Sequence, residues 1–148
     1  MGPDAKITLW AHDSHISRAY GGVMGKFIDE EIGDLYLPVG FGFSWGGFTA
    51  RTGMYGNPST VYINEIPVLH SINIIFHEAS HPNFAFQLDA IPEDSHWASW
   101  LETPRKFLMG IGAGYAVSPT LYYVDMDIRE HFDWLIYFRK SNPSRLLE

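Results

Sequence analysis

An α/β fold, with a mainly parallel or mixed sheet flanked by helices and forming part of a larger domain, is what this sequence predicts. Three observations lead there. Short apolar runs and period-two stretches alternate with segments of helical spacing, which is the pattern of βα units. The 148 residues are 46% hydrophobic and 16% aromatic, enough for one domain with a sizeable core. No internal repeat or domain boundary interrupts them, so residues 1–148 read as a single domain.

The first element is the run Ile7-Thr8-Leu9-Trp10-Ala11, whose continuous apolar character suits a strand buried on both faces. His12, Asp13, Ser14 and His15 follow directly. His12 would stand at the strand's carboxyl end and His15 in the loop beyond it, where open α/β sheets bind ligands. The spacing alone is equally compatible with a strand end that carries polar residues.

Residues 19–22 read as a loop and Val23 to Ile32 as a helix. Met24, Phe27, Ile28 and Ile32 share one face, and Gly33 is placed as the carboxyl-terminal cap. Leu35, Leu37, Val39, Phe41 and Phe43 then alternate with smaller or polar residues, a period-two strand in which Pro38 favours an edge or a bulge. Gly46-Gly47 is expected to turn the chain, with a short return over Phe48 to Arg51 and a loop over Thr52 to Thr60.

Val68 to His81 is the clearest helical pattern, with Val68, Leu69, Ile72, Ile75, Phe76 and Ala79 on one stripe. Asn83 to Leu88 alternates as a strand. Residues 93–101 read as a short helix capped by Ser95 or Asp94. Phe107 to Ile111 reads as a strand, Asp125 to His131 as one helical stretch, and Trp134 to Phe138 as a closing strand.

Composition excludes several functions. The net charge of −7 disfavours a nucleic-acid partner. No stretch approaches the length of a membrane span. The absence of cysteine removes disulfides and thiolate metal sites. With no signal-peptide layout at the N-terminus, the expected location is cytoplasmic.

Two motifs invite catalytic readings. Gly42-Phe43-Ser44-Trp45-Gly46 fits Gly-x-Ser-x-Gly, but a nucleophile elbow needs a helix after the strand, and the glycine-rich sequel has no helical pattern. Ser44 is therefore expected at a glycine-permitted strand end. His77-Glu78-Ala79-Ser80-His81 fits His-Glu-x-x-His, in which two histidines one turn apart bind zinc and the glutamate activates water. Pro82 favours ending that helix, and His70, Asn73, His77 and His81 form the polar stripe of a surface helix. Glu102 is the available third ligand. Gly110 to Gly114 resembles a dinucleotide fingerprint only loosely, without the following helix.

The run Trp10-Ala11-His12-Asp13-Ser14-His15 resembles the Trp-Ala-His-Asn-x-His signature of erythromycin esterase-like hydrolases, with Asp13 in place of the usual Asn. The resemblance continues in order through Gly33, Pro38 to Phe43, Pro82-Asn83-Phe84, Leu88-Asp89 and Phe132 to Tyr137. It covers nearly the whole chain and only the C-terminal part of the family. After Asp89 the family's Leu-Arg continuation gives way to Ala90-Ile91.

The resemblance implies ester hydrolysis, of a macrolide or another small-molecule ester, by a histidine-activated water with no dedicated metal or other cofactor. His12 and His15 match the family's paired active-site histidines, implied to position substrate, relay protons and stabilise the oxyanion. The family's base comes from an N-terminal half that nothing here matches. A fragment would self-associate or need that missing half. Two alternatives stand beside this reading. One is a zinc hydrolase with His77 and His81 as ligands and Glu78 as base. The other is a truncated, non-catalytic domain. Macrolide specificity and antibiotic resistance attach to the family label, not to a substrate legible in this chain.

Overall fold

The alternation that follows Gly33 becomes the longest element of the structure, strand β1 (Val39–Thr52). The computed structural model describes residues 5–53, 56–64, 67–101, 103–109, 111–112, 114–116 and 118–145. β1 begins directly after Pro38, which has no N–H to give a ladder. The Pro38 carbonyl instead accepts from the amide of Asp133 at 2.9 Å, and this aligns β1 with β7 (Trp134–Ser141). The two run parallel, in register from Val39 opposite Trp134 to Gly46 opposite Ser141.

β3 (Asn83–Gln87) pairs antiparallel with β7. β2 (Pro58–Ile63) pairs antiparallel with the far half of β1, and β5 (Gly114–Tyr115) adds a short parallel contact at Arg51 and Thr52. The result is a mixed five-stranded sheet. β4 (Arg105–Leu108) and β6 (Tyr123–Met126) form a separate two-stranded ladder. Helices α1 (Asp13–Ile16), α2 (Met24–Ile32), α3 (Ile72–His77), α4 (His96–Leu101) and α5 (Ile128–His131) flank the strands. This is the mixed α/β architecture that the sequence predicts.

The larger core cluster lies on the glycine side of β1. The apolar alternation places Val39, Phe41 and Phe43 on one face, yet Gly40, Gly42 and Ser44 are the more buried set. The reason is steric. A Cβ on Gly40 would stand 2.9 Å from the Phe132 ring, and one on Gly42 3.0 Å from the Phe107 ring. Phe107, Phe132, Leu135 and Tyr137 therefore fill the space that side chains on β1 would have taken. Phe41 and Phe43 point the other way, where Phe43 packs against a second, smaller cluster of Ala50, Ile63, Leu108 and Tyr115.

Four expectations are corrected. Gly46-Gly47 does not turn the chain. Gly46 takes φ +114°, and a Cβ there would fall 2.2 Å from the Ser141 carbonyl oxygen. The pair lets β1 pass close to the end of β7, and the return strand β2 starts only at Pro58. The helix expected over 68–81 is confined to Ile72–His77, capped by Ser71 Oγ, which accepts from the Ile74 amide at 3.1 Å. Residues 125–131 are not one helix: β6 ends at Met126, and Asp127 caps α5 by accepting from the Arg129 amide.

Finally, residues 5–10 form no strand, and Ile7, Leu9 and Trp10 are 67%, 50% and 85% exposed. An apolar run specifies burial, but a strand also needs a ladder partner, and no described strand pairs with this one.

Candidate functional site

The polar cluster after Trp10 folds as a single helical turn beside β1. His12 is extended (φ −62°, ψ 146°) and caps α1. Its Nδ1 accepts from the Ser14 amide at 3.2 Å and lies 2.8 Å from Ser14 Oγ. Its Nε2 lies 2.5 Å from the carbonyl oxygen of Ile111. A carbonyl only accepts, so the network assigns the ring proton to Nε2 and the lone pair to Nδ1. Both nitrogens of His12 are thus engaged. His15, one turn on, is exposed, with its ring 6.4 Å from that of His12 and edge-on to it.

Asp13 lies between them in sequence but faces inward. It is 8% exposed, and its Oδ2 accepts from the Phe41 amide of β1 at 3.0 Å. Burial opposes its ionisation more than that one amide favours it, so its pKa is pushed up to about 7. His12 and Asp13 form the polar part of a cleft of about 320 Å³. Its apolar wall comes from Trp10, Phe41, Phe43, Leu108 and Met109, with the Trp10 and Phe41 rings 5.4 Å apart. The residues that β1 turns away from the core are therefore those that build the cleft.

The chain leaving α1 is tied to the sheet. Arg18 donates from Nη1 and Nη2 to the two oxygens of Asp133, each at 2.8 Å, and from Nη2 to the Tyr36 carbonyl at 3.3 Å. Its Nε stands 3.3 Å from Asp29 as an ion pair without hydrogen-bond alignment. One residue earlier, Ser17 Oγ accepts from the amides of Ala19 and Tyr20 and donates to Nδ1 of His131 at 2.7 Å. This Ser–His pair is sealed: Ser17 is 0% exposed, so its hydroxyl is a structural clasp.

The other motifs are placed apart from this cluster. Ser44 lies inside β1, 1% exposed, donating to the Asn73 carbonyl and bonded to the Tyr137 hydroxyl. It is not at an elbow. His77 ends α3, Glu78 is that helix's cap, and His81 lies exposed beyond it. The two histidines are not on successive turns of one helix, because the chain leaves the helix before Pro82. Glu102, Gly110 and Ala113 lie outside the described residues. Among the described residues, no three His, Asp or Glu side chains gather as a metal site.

The chain and its fold have counterparts. The erythromycin esterase profile matches residues 1–141. The chain belongs to the erythromycin esterase family. Its fold is similar to that of a succinoglycan biosynthesis protein, with a TM-score of 0.77 and 26% identity over 93% of this chain and 34% of that one. It is also similar in fold to a Bacillus cereus protein, with a TM-score of 0.76 and 21% identity over 94% of this chain and 34% of that one. The chain thus spans about a third of the length of the two solved structures it matches. No curated protein matches it. Among the described residues no helix is long and apolar enough to cross a membrane.

Asp13, Phe41 and Phe43 are site residues that sequence reasoning passed over. The signal for the two phenylalanines is present, since large rings alternate with glycines in β1. The alternation alone does not say which of its two faces lines the cleft.

Proposed function

We propose that this domain carries the cleft of an erythromycin esterase-family hydrolase, in which water attacks a small-molecule ester held against β1. The observation that carries this reading is the cleft itself: an apolar trough large enough for part of a substrate, with the His12–Asp13 pair at its polar side. His15, exposed beside the pair, is the histidine available to a substrate oxygen. A neutral imidazole near the cleft can donate to the developing oxyanion or pass a proton. His12, fixed by Ser14 and Ile111, positions the turn on which His15 and Asp13 ride.

The engagement of both His12 nitrogens also favours a second reading, a domain that folds and catalyses nothing. One assay separates the two. The purified chain is offered erythromycin and p-nitrophenyl butyrate, and products are followed by mass spectrometry and absorbance. The hydrolase reading expects turnover of at least one ester, lost in His15→Ala. No turnover of either ester leaves the non-catalytic domain. A chain that binds neither nucleic acid nor membrane and acts in the cytoplasm remains our proposal for its setting.

A further inference from the structure

β1 and β7 run parallel and in register, so residues opposite each other across the ladder share a face of the sheet. Gly40 and Gly42 lie opposite Leu135 and Tyr137, on the side of the larger core cluster. Phe41, Phe43 and Trp45 lie opposite Ile136, Phe138 and Lys140, on the other side. That second side carries more than the cleft at α1. A further hollow of about 270 Å³ is lined by Phe41, Phe43 and Phe138, with Lys140, Ser141 and Asn142 as its polar residues. It shares Phe41 and Phe43 with the cleft that holds His12 and Asp13, so the two meet at these rings.

The polar residues of this hollow are not equally free. Ser141 Oγ donates to the Gly47 carbonyl at 2.7 Å. Lys140 Nζ stands 4.8 Å from the centroid of the Trp45 ring. Among the described residues no carboxylate pairs with it, whereas Lys26 and Lys106 are each paired with an acid. The Asn142 side chain has no hydrogen bond among the described residues. An ammonium resting on a ring face keeps N–H donors for an oxygen on its open side. Among the described residues no other lysine or arginine lines either hollow.

We propose that this face of β1 and β7 is a binding site for an amphipathic carboxylate. Lys140 and Asn142 hold its acid group, and its hydrocarbon body lies over Phe138 and Phe43 toward Phe41. The class follows from the lining. Three rings offer apolar surface without hydrogen bonds, which suits a hydrocarbon body. The ammonium gives a charge-assisted bond to a carboxylate that a neutral head group cannot match. Charge also sets the direction: Asp13 lines the other hollow, so an anion is favoured at the Lys140 end. From Phe41, whose amide holds Asp13, to Trp45, whose ring carries Lys140, the strand rises roughly 13 Å, long enough for a medium-chain acid to lie along it. Binding at this face does not require hydrolysis, and it is tested with probes that contain no ester.

The full chain is titrated with octanoate, octanamide and acetate at pH 8, and binding is followed by ligand-observed NMR. Octanoate should bind about 10-fold more tightly than octanamide, the worth of one charge-assisted hydrogen bond. The preference should shrink as salt is raised. Acetate, which lacks the apolar body, should not compete. Lys140→Met keeps an unbranched stem without the charge and should bind octanoate and octanamide equally. Lys140→Arg should restore the preference. Equal binding of the two by the wild type, or a preference that survives in Lys140→Met, overturns the site. So does acetate that competes as well as octanoate, the mark of a surface cation alone, or a wild-type chain that binds no probe because a second copy covers the face. Turnover of p-nitrophenyl butyrate is read on the same samples, and its absence in the wild type counts against the hydrolase reading alone.

Discussion

Nε2 of His12 donates to the carbonyl oxygen of Ile111 at 2.5 Å, joining two points 99 residues apart. Through this bond the turn that carries Asp13 and His15 is held against the segment after β4. The cleft between them depends on a histidine whose role in the fold is positional.

It follows that His12→Ala should unfold more easily than the wild type. It loses a helix cap, worth about 1 kcal/mol, and a tertiary hydrogen bond of similar size. Urea unfolding should show a total loss near 2 kcal/mol. His15→Ala should match the wild type in the same experiment, because its ring is exposed. If the His12→Ala midpoint does not move, the bond to Ile111 contributes nothing to the fold.

Asp13 sets a pH dependence of stability with a definite sign. Its carboxyl titrates at 3.8 when free and at about 7 in the fold, so between those values the folded state holds the extra proton. Stability therefore falls as pH rises through that window and levels off above it. The whole effect is on the order of 4 kcal/mol. Asp13→Asn keeps the Phe41 bond and has no charge to bury, so it should melt higher than the wild type at pH 8 and similarly at pH 4. Thermal scans at the two pH values decide the matter. Equal melting temperatures at pH 8 would mean that the carboxylate is solvated in the fold.

His131 acts in the opposite sense. Burial lowers its pKa below 6.5, against a smaller raising effect of Glu130 and Asp127. The unfolded chain then takes up a proton that the fold refuses. The contribution is complete above pH 6.5 and is lost as pH falls below it. In an Asp13→Asn background, where the opposing dependence is gone, the melting temperature should rise from pH 5 to pH 7. Histidine NMR should show the His131 imidazole titrating below 6.5.

The glycine face of β1 makes a steric prediction. Gly40→Ala and Gly42→Ala each push a methyl against the Phe132 or Phe107 ring and should cost about 1–3 kcal/mol. Phe41→Ala, on the other face against the Trp10 ring, should change KM for an apolar ester more than it changes stability. Denaturation midpoints and kinetics on the same three proteins test the contrast. If the glycine-to-alanine variants are tolerated and Phe41→Ala unfolds the domain, the two faces have been assigned the wrong way round.

Exposed apolar side chains collect on and around α2. Phe27 is 57% exposed, Leu35 85% and Leu37 61%, in addition to Ile7 and Trp10. Surface of this kind promotes association. The chain in isolation should scatter light as a species larger than a monomer at micromolar concentration. A Phe27→Lys, Leu35→Lys double variant should shift it toward the monomer. A monodisperse wild-type monomer would remove association from the account.

The ladder strands were legible where local chemistry and tertiary demand coincide. Trp134 onward alternates, and so does Asn83 to Gln87, and both pair as strands. Gly33 caps α2 as its position after Ile32 suggests, and Ser95 Oγ accepts from the Ala98 amide at 3.0 Å. The errors share one cause, which is that periodicity reports an element's faces without saying what covers them. The run Ile7 to Leu9 has the composition of a buried strand but, among the described residues, no ladder beside it. The face of β1 that meets the larger core cluster was not legible because the residues that fill it, Phe107 and Phe132, come from distant segments. The pair His12 and His15 was visible as a cluster. The inward turn of Asp13 was not, because it depends on the amide of Phe41, 28 positions away.

The glycines of β1 also divide the strand between two kinds of constraint. On one side, each atom added at Gly40 or Gly42 must displace a packed ring, so variation there is limited by the fold. On the other side, Phe41 meets the Trp10 ring rather than a core cluster and can be exchanged without touching that packing. A lineage could therefore reshape what the cleft accepts while its framework stays fixed. Libraries that vary this position alone should return a high proportion of folded members.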